Sequence, residues 1–237
     1  MKIIDHKEIF PDLSDLPVFN SNAIEVSIHN IPGLRSCFLY LNDDMMLGKD
    51  LNPSHFITSD GLLNVYHNSW KAPEEERMRK NLWHRSVGFS NKKINELFHP
   101  GEGVVKHPYV SHHCYFFKTA ILKEMEEKLQ DRYIFTRKNK FRHGEDLAIP
   151  FQHGAYVTES GKGKYVKEYN YYYGLVDNNT TNVNKIINGI KKKNPQCICL
   201  NDGLDEKKPE QMNKAIDMMT DFLRSLLPKP TPFELFD

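Results

Sequence analysis

At 237 residues, with 39% apolar and 27% charged residues and a mean hydropathy of −0.60, the chain is long enough for one substantial core and too polar for an integral membrane protein. A net charge of +1 excludes a global field for nucleic acid or anionic membrane, so any bound anion must be held by a local cluster. No run approaches the ~18 apolar residues of a spanning helix, and MKIIDHKEIFPD lacks the apolar core of a signal peptide. The expectation is a cytoplasmic protein with no membrane span.

In chain order, MKIIDH reads as a short strand and FPDLSDLP as a turn-rich link. In NSNAIEVSIHNIPG, Asn20 or Ser21 is placed to cap a helix whose Ile24, Ile28 and Ile31 recur at helical spacing, and Pro32 with Gly33 ends it. The strand CFLYLND comes next. The opening therefore predicts strand, helix, strand, the unit of a parallel α/β sheet, where ligands sit at the carboxyl ends of strands. Strand-like pieces HFITS and LLNVYHN follow within residues 51–75, a helix is predicted over 86–99, and Gly101, Gly103 and two prolines make HPGEGVVKHP a loop.

HHCYFFKTAILKEMEEKLQ, residues 112–130, carries the strongest helical pattern, with Phe116, Ala120, Met125 and Leu129 on one face. A further helix is expected from about Gly144 through EDLAIPFQHGAYV, kinked or shortened by Pro150. KYVKEYNYYYGLV reads as a strand, 180–193 as a helix, QCICLND as a strand, and 208–227 as an amphipathic helix ahead of the Pro-rich tail PKPTPFELFD. CFLYLNDD and CICLNDG are both apolar strands that end in Leu-Asn-Asp.

Asp43 and Asp44 would diverge on a regular strand, but beyond its end a turn can bring one or both inward. There they suit Mg2+ or Mn2+ bridging phosphate oxygens, because hard cations prefer oxygen ligands; equally, Asn and Asp simply favour turns. FRHGED packs Arg142, His143, Glu145 and Asp146 near an expected helix start. An arginine fork can clamp a phosphate, while Glu145 and Asp146 are expected to act as caps or as partners of Arg142. His112 and His113 precede the expected helix, where anions bind and an imidazole can take a proton from an attacking hydroxyl.

Cys37, Cys114, Cys197 and Cys199 are too few and too irregular for a disulfide framework. Cys197 and Cys199 point the same way on a strand. A second close pair is missing, so two buried thiols are favoured over zinc. KKKNP reads as a solvated helix end, and ESGKGK lacks the spacing of a phosphate-binding loop.

DLPVFNSNAIEVSIHNIPGL with FLYLNDDMMLGKDL, then HH…FRHGED, then CICLNDGLDE with FELFD, resembles in order the blocks of the Stealth family of sugar-1-phosphate transferases. That family includes capsule polymerases and the alpha/beta subunit of the enzyme that places N-acetylglucosamine-1-phosphate on lysosomal mannose. The resemblance implies a single catalytic domain over 1–237, with blocks at about 1–60, 105–160 and 180–237. It implies a glycosyltransferase-A-like (Rossmann-like) α/β fold, a mixed sheet flanked by helices. It also implies metal-dependent attack of a glycan hydroxyl on a UDP-sugar, with release of UMP.

Residue by residue, the resemblance assigns Asp43 and Asp44 to the metal, His112 (or its neighbour His113) to the base, Arg142 to a phosphate clamp, and Glu25 to orienting a sugar or Arg142. Asn42, Asn201 and Asp202 are further donor contacts. Where related sequences have a proline soon after the histidine, Cys114 and Tyr115 stand here. A Tyr-Thr-Trp-Val-Asp-Gly-like block that helps hold the nucleotide is expected before MKIIDH. Its absence predicts an N-terminally incomplete sheet, with three alternatives: the gene product is truncated, another chain supplies the block, or nucleotide binding is lost. A homo-oligomer is a separate expectation. A remnant that binds glycan or nucleotide-sugar without turnover and a conventional metal-dependent glycosyltransferase are the competing expectations.

Overall fold

In the computed structural model, which describes residues 2–72, 81–167 and 170–229, the elements in chain order begin with α1 (Ser21–Glu25), β1 (Cys37–Tyr40), β2 (Met45–Leu47), β3 (Leu63–Lys71) and α2 (Leu82–Phe98). They continue with β4 (Pro108–Val110), β5 (Tyr115–Lys118), α3 (Thr119–Lys128), α4 (Gln130–Lys138) and α5 (Ile149–Glu159). The last are β6 (Gly163–Lys167), β7 (Tyr171–Val176), α6 (Thr180–Lys193), β8 (Cys197–Asp202) and α7 (Pro209–Leu226). Among these residues no helix is long and apolar enough to cross a membrane. The tail motif FELFD and the middle of KYVKEYNYYYGLV lie outside the described residues.

The strands form three small sheets, β1–β5, β2–β8–β7 and β4–β3–β6, with parallel pairing in β3–β6 and β7–β8 and antiparallel pairing elsewhere. Helices pack on these sheets. The architecture is thus the expected mixed α/β fold, consistent with a Rossmann-like, glycosyltransferase-type core. α5 sits at its centre, buried from Ile149 through Val157. The main core joins it to Tyr115 and Phe117 of β5, Leu122 and Met125 of α3, and Tyr133 of α4. A second core lies between α6, α7 and β8, around Val183, Ile190, Ile198 and Phe222.

Several local expectations change. The helix expected to carry Ile24, Ile28 and Ile31 ends at Glu25, with Ile28 in a separate 3-10 turn; HFITS forms no strand; and KYVKEYNYYYGLV contributes two strands, β6 and β7, to different sheets. MKIIDH forms no strand: Asp5 accepts from Lys7 N while Glu8 accepts from Asp5 N, and this reciprocal cap winds His6–Glu8 into a 3-10 turn. The opening is not a parallel βαβ unit, because β1 pairs antiparallel with β5; the parallel unit is β7–α6–β8. Residues 112–130 do not form one helix. Tyr115 and Phe117 are buried and alternate with half-exposed Phe116 and Lys118, a period of two that a strand satisfies, and the helix begins at Thr119. Finally, α5 begins at Ile149 rather than near Gly144, so Pro150 falls in its first turn, where its missing N–H costs nothing.

α1 is short, capped by Asn20 and held from outside at both ends. At its C-terminal end the buried Arg137 donates to Val26 O (3.0 Å), Ser27 Oγ (3.2 Å) and Glu126 Oε1 (2.6 Å), while His29 Nε2 lies 2.5 Å from Glu126 Oε2. Burial alone would raise the Glu126 carboxyl, but His29 and Arg137 overcome it and hold it at about 2, against an ordinary 4.5. The lowered value makes this stabilisation complete above pH 4.5 and lost as pH falls towards 2, on the order of 2–3 kcal/mol. Urea unfolding should find Glu126→Gln less stable than wild type at pH 6. The gap should close as pH falls towards 2, and a pH-independent gap would remove Glu126 as the titrating group.

Candidate active site

The register of β1 with β5 sets Tyr40 opposite Tyr115, at the carboxyl end of one strand and the amino end of the other. Asp44 lies four residues beyond Tyr40 and His112 three residues before Tyr115, so both leave the same end of the pair. A turn closed by Met45 N donating to Asn42 O (3.1 Å) folds the chain back into β2, whose pairing sets Met45 opposite Cys199 of β8. Leu200 N donates to Asp44 O (2.9 Å), which fixes the turn against β8. Asp43 faces solvent and Asp44 turns inward, with 18% of its side chain exposed.

Asp44 Oδ2 is 3.2 Å from His112 Nε2 and 3.2 Å from Cys199 Sγ. An ionised carboxylate only accepts, so Nε2 carries the proton towards Asp44 and Nδ1 accepts from the Tyr115 hydroxyl at 3.0 Å. Burial lowers the His112 pKa below 6.5, with Asp44 opposing it, so the ring is neutral at pH 7. Burial and the bond to Asp44 push the Cys199 thiol up, keeping it protonated. The ligand atoms of Asp44, His112 and Cys199 lie within 4.8 Å of one another, close enough to hold a metal ion.

Glu25, at the end of α1, is 3% exposed and accepts from the Tyr40 hydroxyl at 3.1 Å. Burial raises its carboxyl to about 7, with Tyr40 and the Arg142 charge pulling the other way. Tyr40 is pushed up by burial, then by Glu25, with Asp43 and Asp44 adding to it, and so remains a donor. Arg142 is exposed and bonds Ser21 Oγ at 2.8 Å, beside the start of α1. Three buried oxygens at this end, Glu25 Oε2, Asn42 Oδ1 and Asp44 Oδ1, have no hydrogen-bond partner among the described residues.

Other sequence-predicted residues lie apart. Asn201 donates to Tyr173 and Asp202 caps Leu204 N; neither bonds Asp44, His112, Glu25 or Arg142 among the described residues. His113 is buried, its Nδ1 on Cys114 O. Glu145 pairs with Arg132, and Asp146 binds Asn20, Asn139 and His143 N, so among the described residues neither takes either role expected from sequence, a cap of the helix that follows or a partner of Arg142. Tyr40, Tyr115 and Cys199 contribute without having been singled out for the site. The signal for the tyrosines was the alternation of CFLY and YFFK, which places both on facing strands. A cavity of about 550 Å3 lies elsewhere, between α2 and residues 99–106, and holds none of these groups.

Three models of one family match the chain: Stealth protein CR2, conserved region 2, over residues 1–65; CR3, conserved region 3, over 111–159; and CR4, conserved region 4, over 188–237. The chain belongs to the Stealth family. An exopolysaccharide phosphotransferase of Streptomyces coelicolor is 29% identical over 238 residues, covering 99% of this chain and 39% of the relative. The capsular polysaccharide phosphotransferase SacB of Neisseria meningitidis serogroup A is 30% identical over 234 residues, 97% of this chain and 42% of the relative. This Stealth chain thus spans about two fifths of the length of these relatives. Each matched region supplies part of the same end of the fold: the second gives Glu25 and Asn42 to Asp44, the third His112 and Arg142, the fourth Cys199.

Because Tyr40 and Arg142 both favour ionised Glu25, Tyr40→Phe and Arg142→Ala should each move its midpoint above 7. Carboxyl 13C chemical shifts followed against pH report this directly. An ordinary carboxyl value in wild type, unmoved by either variant, would contradict the buried placement of Glu25.

Proposed function

We propose that residues 1–237 act as one catalytic domain that transfers a sugar-1-phosphate from a UDP-sugar to a glycan hydroxyl, releasing UMP. The names of the Streptomyces and Neisseria relatives support phosphotransfer to polysaccharide. The observation that carries the rest is the Asp44–His112 contact of 3.2 Å beside buried oxygens that have no hydrogen-bond partner among the described residues.

In this scheme the acceptor oxygen attacks the sugar-bound phosphorus as the phosphorus–oxygen bond to UMP breaks, and that electron pair leaves on UMP. The acceptor's proton goes to His112 Nδ1, which Tyr115 vacates, while Asp44 on Nε2 steadies the imidazolium. Arg142, exposed and bonded through one nitrogen to Ser21 Oγ, grips a phosphate in two hydrogen bonds. Glu25 orients a sugar hydroxyl or Arg142. Asn42, Asn201 and Asp202 contact the donor.

Asp44 Oδ1 and Asn42 Oδ1 are buried oxygens without hydrogen-bond partners among the described residues, a donor set that fits a hard cation, and Asp43 lies next to them. Mg2+ or Mn2+ held by Asp43 and Asp44 would supply neutralisation of the diphosphate charge.

Product analysis tests the reaction: UMP should appear in step with a sugar-phosphodiester, whereas UDP release would replace this scheme with ordinary glycosyl transfer. His112→Ala should lower kcat by about 10²–10⁴ with the fold intact, and His113→Ala should do less. For wild type, kcat/KM should rise with pH through a midpoint below 6.5. Equal losses in the two histidine variants would remove His112 as the base.

A further inference from the structure

The donor set around Asp44 Oδ2 differs in kind from the oxygens on its other side. Oδ2 faces an imidazole nitrogen and a sulfur, each at 3.2 Å. Mg2+ has little affinity for either, whereas sulfur, imidazole and carboxylate together are a zinc-type set. We propose that Asp44 Oδ2, His112 Nε2 and Cys199 Sγ form a binding site for a thiophilic divalent ion of the zinc class, separate in its ligand atoms from the hard-cation oxygens.

The dimensions agree. A tetrahedral zinc ion, with bonds of about 2.0–2.1 Å to oxygen and nitrogen and about 2.3 Å to sulfur, sets its ligands about 3.3–3.6 Å apart. Two of the three edges, both from Asp44 Oδ2, measure 3.2 Å, and the third, from His112 Nε2 to Cys199 Sγ, is within 4.8 Å. Three protein ligands leave a fourth position open. The surroundings agree as well, because a zinc-bound histidine donates its other N–H to an oxygen. The Tyr115 hydroxyl stands 3.0 Å from His112 Nδ1 to accept it. On binding, Cys199 loses its thiol proton to solvent, the His112 proton passes from Nε2 to Nδ1, and Tyr115 turns from donor to acceptor.

Occupancy puts a proton on Nδ1, the atom that takes the acceptor's proton, so zinc and turnover exclude each other. That consequence rests on the proposed phosphotransfer; the ion site itself does not.

Co2+ serves as the probe, added to the full 237-residue chain. Wild type should bind one thiolate-ligated ion per chain, read by a thiolate-to-cobalt charge-transfer band in the near ultraviolet that one equivalent of Zn2+ erases. Cys199→Ser should lose the band and Cys197→Ser should keep it. His112→Gln provides a second variant should Cys199→Ser not fold, and it should lose the band too. Absence of the band from folded wild type, or its survival in either folded Cys199→Ser or folded His112→Gln, would overturn the site. The spectrum does not depend on turnover, so the site and the reaction fail separately. In an active preparation, one equivalent of Zn2+ should abolish Mg2+-supported transfer, and undiminished transfer would overturn the exclusion.

Discussion

The antiparallel register of β1 with β5 decides where the Asp44–His112 pair sits. Pairing Tyr40 with Tyr115 sends the Asn42–Asp44 turn and the His112 segment out of the same end of the ribbon. A slip of one residue would exchange faces, exposing Tyr115 and Phe117 and burying Lys118, so the core enforces the register. Stacking of Tyr40 on Tyr115 and on Phe117 adds to it. The contact between Asp44 and His112, 68 positions apart in sequence, follows from this pairing.

A second device brings up Glu25 and Arg142, the other half of the candidate site. Asp146, fully buried, accepts from Asn20 (2.8 Å), Asn139 (2.6 Å) and the His143 backbone N–H (2.8 Å). Asn20 is also the cap of α1, so one carboxylate ties the start of that helix to the loop that bears Arg142. Its loss would take away the acceptor of Asn139 Nδ2 and of His143 N, at ~1–3 kcal/mol each, while Asn20 would keep its bonds to Asn139 O and Phe141 O. Arg137 fixes the far end of α1. Five residues of helix therefore hold Glu25 in place although too short to be stable alone.

Local chemistry was the legible part of this sequence. Asn20 as a cap, α6 over 180–193, the strand in QCICLND and the loop around Gly101 and Gly103 all follow from side chains acting on their own neighbours. Pairing was less legible. Nothing in CFLYLND says that its partner is YFFK rather than a strand upstream, and a period of two over four residues is masked when a helix follows directly. Asp43 and Asp44 could be seen as a turn, but which one faces inward is set by Leu200 N donating to Asp44 O, a contact across 156 positions. Cys199 was visible as a buried thiol. Its carboxylate neighbour was not, because that proximity exists only once β2 lies on β8.

The central claim is that Asp44, His112, Glu25 and Arg142 surround one diphosphate. Anomalous diffraction from crystals grown with Mn2+ and a UDP-sugar tests it most directly. The account predicts a manganese peak within bonding reach of Asp44 Oδ1, with Arg142 on a phosphate of the same ligand. A diphosphate seated elsewhere on the chain, with neither Asp44 nor Arg142 touching it, would contradict the account.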